Sequence, residues 1–77
     1  MVKLVETIAK SLVDNPDEVV VTKEADDLGY ILKLQVAPSD MGKIIGKQGR
    51  NAKALRTVVK AVAARDNQKV MVEIIGD

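Results

Sequence analysis

The stretch KIIGKQGRN, Lys43 to Asn51, decides how this sequence folds. Two isoleucines lead into a glycine, two polar residues and a second glycine, after which a long apolar-periodic run begins. Glycine has no Cβ, so it takes positive φ readily and lets another chain come close to its backbone. With only Lys47 and Gln48 between Gly46 and Gly49, the pair predicts a very tight connection between helices. The amides of such a connection project outward. The helix that follows adds unsatisfied N–H groups and a partial positive charge at its N-terminus, the chemistry that receives a phosphate. Lys47 brings a full charge to the tip of the turn, and Arg50 and Lys53 bring more just inside the helix.

Upstream of the turn, Met41, Ile44 and Ile45 stand at i, i+3 and i+4, the mark of a short helix with one face turned inward. Pro38-Ser39-Asp40 opens it: proline suits a first turn, serine can cap, and aspartate complements the helix dipole. Downstream, Ala52, Leu55, Val59 and Val62 carry a helix from Gly49 to about Arg65, where Asp66-Asn67-Gln68 stops it. Lys69 to Ile75 alternates as a strand. In the N-terminal half, Leu4, Val5, Ile8, Ala9, Leu12 and Val13 give Val2 to Val13 helical spacing, ended by Asp14-Asn15-Pro16. Glu18 to Ala25 and Tyr30 to Ala37 read as two strands joined through the turn residues Asp26 to Gly29.

The order is therefore α-β-β-α-α-β. A strand that returns through helices lies parallel to the strand it left, by a right-handed crossover, whereas a hairpin partner is antiparallel. The expected architecture is α+β: a three-stranded mixed sheet, Tyr30 to Ala37 central, with three helices on one face. At 77 residues the whole chain, 1–77, makes a single domain.

Composition narrows the chemistry. Cysteine and histidine are both absent, which excludes disulfides, the usual zinc sites and imidazole acid/base catalysis. No catalytic residue, metal site or cofactor is expected. Lys3, Glu6 and Lys10 interrupt the N-terminal apolar run, so it reads as neither signal peptide nor membrane span, and a cytoplasmic protein is expected. The formal net charge of +1 hides a sharp asymmetry. Residues 41 to 65 hold seven basic side chains and no acid, a net of +7, while the rest of the chain holds the other five bases and all eleven acids, a net of −6. Local fields of this kind steer anionic partners.

Each feature has a plainer meaning when taken alone. A bare GxxG spacing also serves a simple αα-turn, and a basic flank is commonly a solvated helix face. Met41, Ile44, Ile45 and Leu55 are placed to floor a groove beside the turn, yet the same spacing is that of a buried core face. Their coincidence in one stretch without acids points to a polyanion. At about 100° per residue Lys53, Arg56 and Lys60 share one helix flank, with Lys43 on the preceding helix. Phosphate hydrolysis is excluded by the details: Gly42 to Gln48 has three residues between its glycines where a nucleotide-binding loop has four, and Gln48 follows the lysine where that loop needs a hydroxyl for magnesium.

The run Ile44-Ile45-Gly46-Lys47-Gln48-Gly49-Arg50-Asn51 between two helices resembles the signature of the KH domain, whose GXXG loop clamps about four nucleotides of backbone. The element order is similar to the type II, prokaryotic form. The likeness spans essentially the whole chain and is closest to the small single-KH bacterial RNA-binding proteins of the KhpA type. It implies a non-catalytic protein binding single-stranded RNA, as a post-transcriptional regulator or RNA chaperone. It also implies a homodimer and pairing with a larger KH-containing protein, with no membrane partner. By the same resemblance Gly46, Lys47, Gln48 and Gly49 are the loop, with Ile45 and Arg50 at its lip. Acids at the two variable loop positions abolish RNA binding in some KH domains; Lys47 and Gln48 leave this loop competent. Ala52 departs from the bulkier aliphatic residue of many family signatures and implies a shallower floor. With Tyr30 the only aromatic residue, recognition by stacking rings is not expected. The alternative reading is a protein–protein dimerisation or assembly module whose KH fold serves mainly as scaffold: Met71, Ile75 or the Val19–Val21 face could form its surface, although core is the plainer meaning of each.

Overall fold

The 3.6-residue apolar period at the N-terminus winds into helix α1, Val2–Leu12, with Val5 and Ala9 fully buried. The computed structural model describes residues 1–75, so the last two residues of the single-domain span lie outside the described residues. Beyond α1 a single 3-10 turn over Pro16–Glu18 precedes strand β1, Val20–Ala25. The strand therefore starts two residues later than the β-branched run suggests, because Pro16 fixes the φ of a turn and donates no ladder hydrogen bond. Asp26 then closes the hairpin. Its Oδ1 accepts from the amides of Leu28 and Gly29 at 2.8 and 2.9 Å, and its own amide donates to the Gly29 carbonyl.

Strand β2, Gly29–Gln35, runs up the middle of the sheet. It pairs antiparallel with β1, Val21 opposite Leu34, and parallel with β3, Lys69–Ile75, Leu32 opposite Val72. Between β2 and β3 lie helix α2, Met41–Ile45, and helix α3, Arg50–Arg65. The mixed sheet, its order β1-β2-β3 and the α+β class agree with the sequence reading.

Burial alternates along the sheet. Leu32, Leu34, Val70 and Val72 are buried, whereas Thr22, Glu24, Met71 and Glu73 on the opposite side are exposed. All three helices accordingly cover one face, and the core lies between them and it, closed by Ile44 of α2 and Leu55, Val59 and Ala63 of α3. Burying each large aliphatic side chain contributes about 1.5–3 kcal/mol, which is what a chain of this size has to set against its backbone entropy. Helix α3 ends as the Asp66-Asn67-Gln68 stop implies. Asn67 takes the left-handed conformation (φ 55°), and the amides of Asn67 and Gln68 donate to the Ala64 and Ala63 carbonyls, at 3.2 and 2.9 Å.

The opening of α2 departs from expectation. Neither Ser39 nor Asp40 makes a side-chain cap, and Pro38–Asp40 forms a 3-10 turn instead. Asp40 is 1% exposed and points at the loop after α1. Its Oδ1 accepts from the Asp14 amide at 3.2 Å, and its Oδ2 accepts from the Asn15 amide and side chain at 3.1 and 3.0 Å. A carboxylate is thus stitched between segments about 25 residues apart. Burial alone would raise the Asp40 pKa. The donors from Asn15 and Asp14, with the Lys43 charge, outweigh it and hold the carboxyl below its ordinary value of 3.8.

Candidate nucleic-acid interface

The turn between α2 and α3 is built almost entirely from backbone in unusual conformations. Gly46 donates its amide to the Gly42 carbonyl at 2.8 Å and takes φ 74° and ψ 175°, a region open to glycine alone. Lys47–Gly49 forms one 3-10 turn in which Gln48 is left-handed (φ 57°, ψ 25°) and Gly49 likewise (φ 74°, ψ 15°). Asn51, in the first turn of α3, reaches back across the loop and donates from Nδ2 to the Lys43 carbonyl at 2.8 Å. That carbonyl is one of the acceptors a helix C-terminus leaves free. The two helix ends are thereby fastened to each other beneath the loop.

The glycines have separate reasons to be glycine. A Cβ on Gly46 would lie 2.8 Å from Asn51 Cγ and 3.0 Å from its backbone nitrogen, so the side chain is excluded by the loop's own packing. A Cβ on Gly49 would meet nothing within 4 Å. The space over Gly49 is open. Gly46→Ala is expected to destabilise the domain by about 2–3 kcal/mol, since it combines a forbidden conformation with a collision. Gly49→Asn keeps a conformation that asparagine tolerates, at about 1 kcal/mol or less. It should preserve the melting temperature nearly intact while weakening any ligand that lies on the turn. Melting curves and affinities of the two variants would reverse in rank if the glycines were equivalent.

The predicted cations divide into two sets. Lys47, Arg50, Lys53, Arg56 and Lys60 are exposed, and none of them belongs to an ion pair among the described residues. Arg50 Nη2 lies 3.4 Å from Gln48 Oε1. Lys43 is engaged: it pairs with Asp14 and stands 4.0 Å from Asp40 Oδ1. Its hydrogen bond to Asp14, against a smaller opposing effect of burial, raises its pKa. Lys43, though exposed, therefore belongs to the Asp40 clasp, unlike the other five cations.

The apolar residues divide as well. Ile44, Ala52 and Leu55 are buried in the core and Met41 packs against it, so none of these forms a floor open to solvent. Ile45 is 39% exposed and stands at the lip of the loop. The groove that adjoins the cations lies elsewhere, between α3 and the last strand, lined by Lys53, Arg56, Thr57, Lys60, Met71 and Val72. Its wall is the open edge of β3. There Arg56 Nε is 3.4 Å from the Val72 carbonyl, a backbone acceptor with no strand beside it. The sequence reading missed this wall, although its signal was available: with β2 central, β3 is an edge by necessity.

Helices joined by a bare GXXG turn, cations along the second helix and a groove ending on an open strand edge define a KH domain of the type II order. The comparisons agree: the KhpA/KhpB KH-domain family matches residues 2–74, and the chain belongs to that family. It is 63% identical to the RNA-binding protein KhpA of Clostridium acetobutylicum, over 97% of this chain and all of that one. It is 49% identical to the RNA-binding protein KhpA of Listeria monocytogenes, over 97% and 99%, and 47% identical to that of Borreliella burgdorferi, over 96% and 90%. The family is non-enzymatic. No solved structure matches the chain. No helix among the described residues is long and apolar enough to cross a membrane.

Proposed function

We propose that the protein binds single-stranded RNA, with Gly46, Lys47, Gln48 and Gly49 gripping the sugar-phosphate backbone. Ile45 and Arg50 flank the strand as it enters, and Lys53 draws it into the groove, with Arg56 and Lys60 as further phosphate partners and Lys43 in support. The observation that carries the reading is the empty approach over Gly49, directly beside exposed cations that run on into the groove along β3. A strand laid there meets no side chain over Gly49 and has the amides of the α3 N-terminus before it. The names of the relatives, RNA-binding proteins, support the same partner.

On this reading the protein acts in the cytoplasm as a post-transcriptional regulator or RNA chaperone. One KH module holds only about four nucleotides, so pairing modules raises affinity through effective concentration. A homodimer, or a complex with a larger KH-containing protein, supplies that pairing. Of the apolar residues expected to serve it, Met71 and Val20 are exposed, Ile75 and Val21 are half-buried and Val19 belongs to the core.

The test is the dependence of affinity on salt. Tetraribonucleotide binding followed by fluorescence anisotropy should give a plot of log K against log salt with a slope near −2, from roughly three phosphates at about 0.7 each. A flat plot would show that phosphate neutralisation does not drive binding and would remove the loop from the site.

A further inference from the structure

A second hollow opens at the far end of β3. Leu28, Tyr30, Lys60, Ala61, Ala64 and Lys69 line it. It shares Lys60, Val70 and Met71 with the groove beside the loop, so the two adjoin along one strand edge. Its apolar surface stands in water: Leu28 is 74% exposed and Met71 68%. Leu28 is held out rather than left loose, because Asp26 Oδ1 binds both its amide and that of Gly29. The only aromatic ring of the chain, Tyr30, lies in the wall with Lys23 Nζ 4.3 Å from its centroid.

The rim decides what fits. Lys60 and Lys69 stand on it, neither in an ion pair among the described residues. The one acid of the lining, Asp26, already spends an oxygen on two amides. Apolar surface with a ring, bordered by cations and continuous with a phosphate-binding groove, matches bases on one side and a backbone on the other.

We propose that the RNA strand leaving the loop continues along the open edge of β3 into this hollow, which holds about two nucleotides beyond the four at the loop. The proposal rests on the reading of the loop groove as an RNA site. It extends that site and gives Leu28, Tyr30 and Lys69 a part in it.

The test uses random-sequence oligoribonucleotides of four and six residues, fluorescently labelled, against the wild type and the double variant Leu28→Ser/Lys69→Gln. Both replaced side chains are exposed, so the variant folds, as its melting curve would verify. A hexamer offers a four-nucleotide site about three registers, a gain of about threefold by counting alone, and one further base on an apolar platform adds roughly tenfold. The wild type should show that additional tenfold. The variant should bind the tetramer within about threefold of the wild type and lose the additional gain on the hexamer. A wild-type gain no larger than the register count, or a variant that keeps the full gain, overturns the extended track while leaving the loop site standing. Binding of neither length by the wild type overturns the loop reading and the extension together. A variant whose mass in solution is halved, with its length gain unchanged, assigns the hollow to a second copy of the chain and overturns the proposal.

Discussion

Replacing Lys47 and Gln48 together by aspartate should lower RNA affinity at least about 100-fold and leave the fold as it was. Both side chains are exposed and neither contributes to the core. Gln48 is left-handed, a conformation aspartate tolerates better than most residues, so the backbone of the turn survives. What changes is the field at the turn where, on the proposed reading, a phosphate would meet the backbone amides. One positive charge is lost and two negative charges arrive, and like charges set against each other at close range cost several kcal/mol. Circular dichroism should superimpose on the wild type and the melting temperature should move by no more than a few degrees. If the double variant binds a tetraribonucleotide within about threefold of the wild type, the loop is not the grip.

The second large effect is expected at Asp40, far from any ligand. Asp40→Ala removes the acceptor for the Asp14 amide and for both donors of Asn15, and strips Lys43 of one of its two partners. Breaking a hydrogen-bond and ion-pair network centred on a buried carboxylate is among the few single-site changes that destabilise severely. A melting temperature lower by on the order of 10 °C is expected for a domain of this size. Asp40→Asn keeps the shape and loses the charge, and it isolates the pH dependence. The folded-state pKa of Asp40 is held below 3.8, so the stabilisation from its ionised form is complete above the unfolded-state value and fades as pH falls through the folded-state one. Urea midpoints of wild type and Asp40→Asn should therefore differ at pH 7 and draw together as the pH falls below the unfolded-state value of 3.8. A difference that stays constant over that range would mean the carboxylate's charge contributes nothing.

The elements were legible in the sequence because each one repeats a simple signal. Leu32 and Leu34 alternate with polar residues, Leu55 and Val59 keep the helical period, and Asn67 marks the end of α3, so type, order and sheet arrangement follow. The Asp40 clasp was not legible. Asp40 reads locally as a helix-opening residue, and nothing near it in the sequence announces that Asp14 and Asn15 will arrive with three hydrogens to donate. The pairing of Lys43, read in the sequence as part of the secondary basic flank, was hidden for the same reason, since its acid lies 29 residues away. At the loop the glycine spacing was readable, but the division of labour was not. Asn51 looks like one more polar residue of α3 until its amide is seen reaching the Lys43 carbonyl and filling the space a side chain on Gly46 would need. The groove was misplaced because periodicity tells which side chains face inward without telling what stands across from them. Ile44 went to the core while Ile45 stayed exposed, and the wall came from the edge of β3, which is readable only from the strand order and not from any local pattern.

That wall is also the last of the described elements in chain order. Strand β3 joins β2 only across the whole crossover, from Gln35 to Lys69, and it does so after both intervening helices exist. A nascent or truncated polypeptide ending before Lys69 carries the glycine turn and its cations yet lacks the strand edge that walls the groove. On the proposed reading, a copy without β3 would attract nucleic acid without retaining it, which ties transcript capture to the completion of this strand.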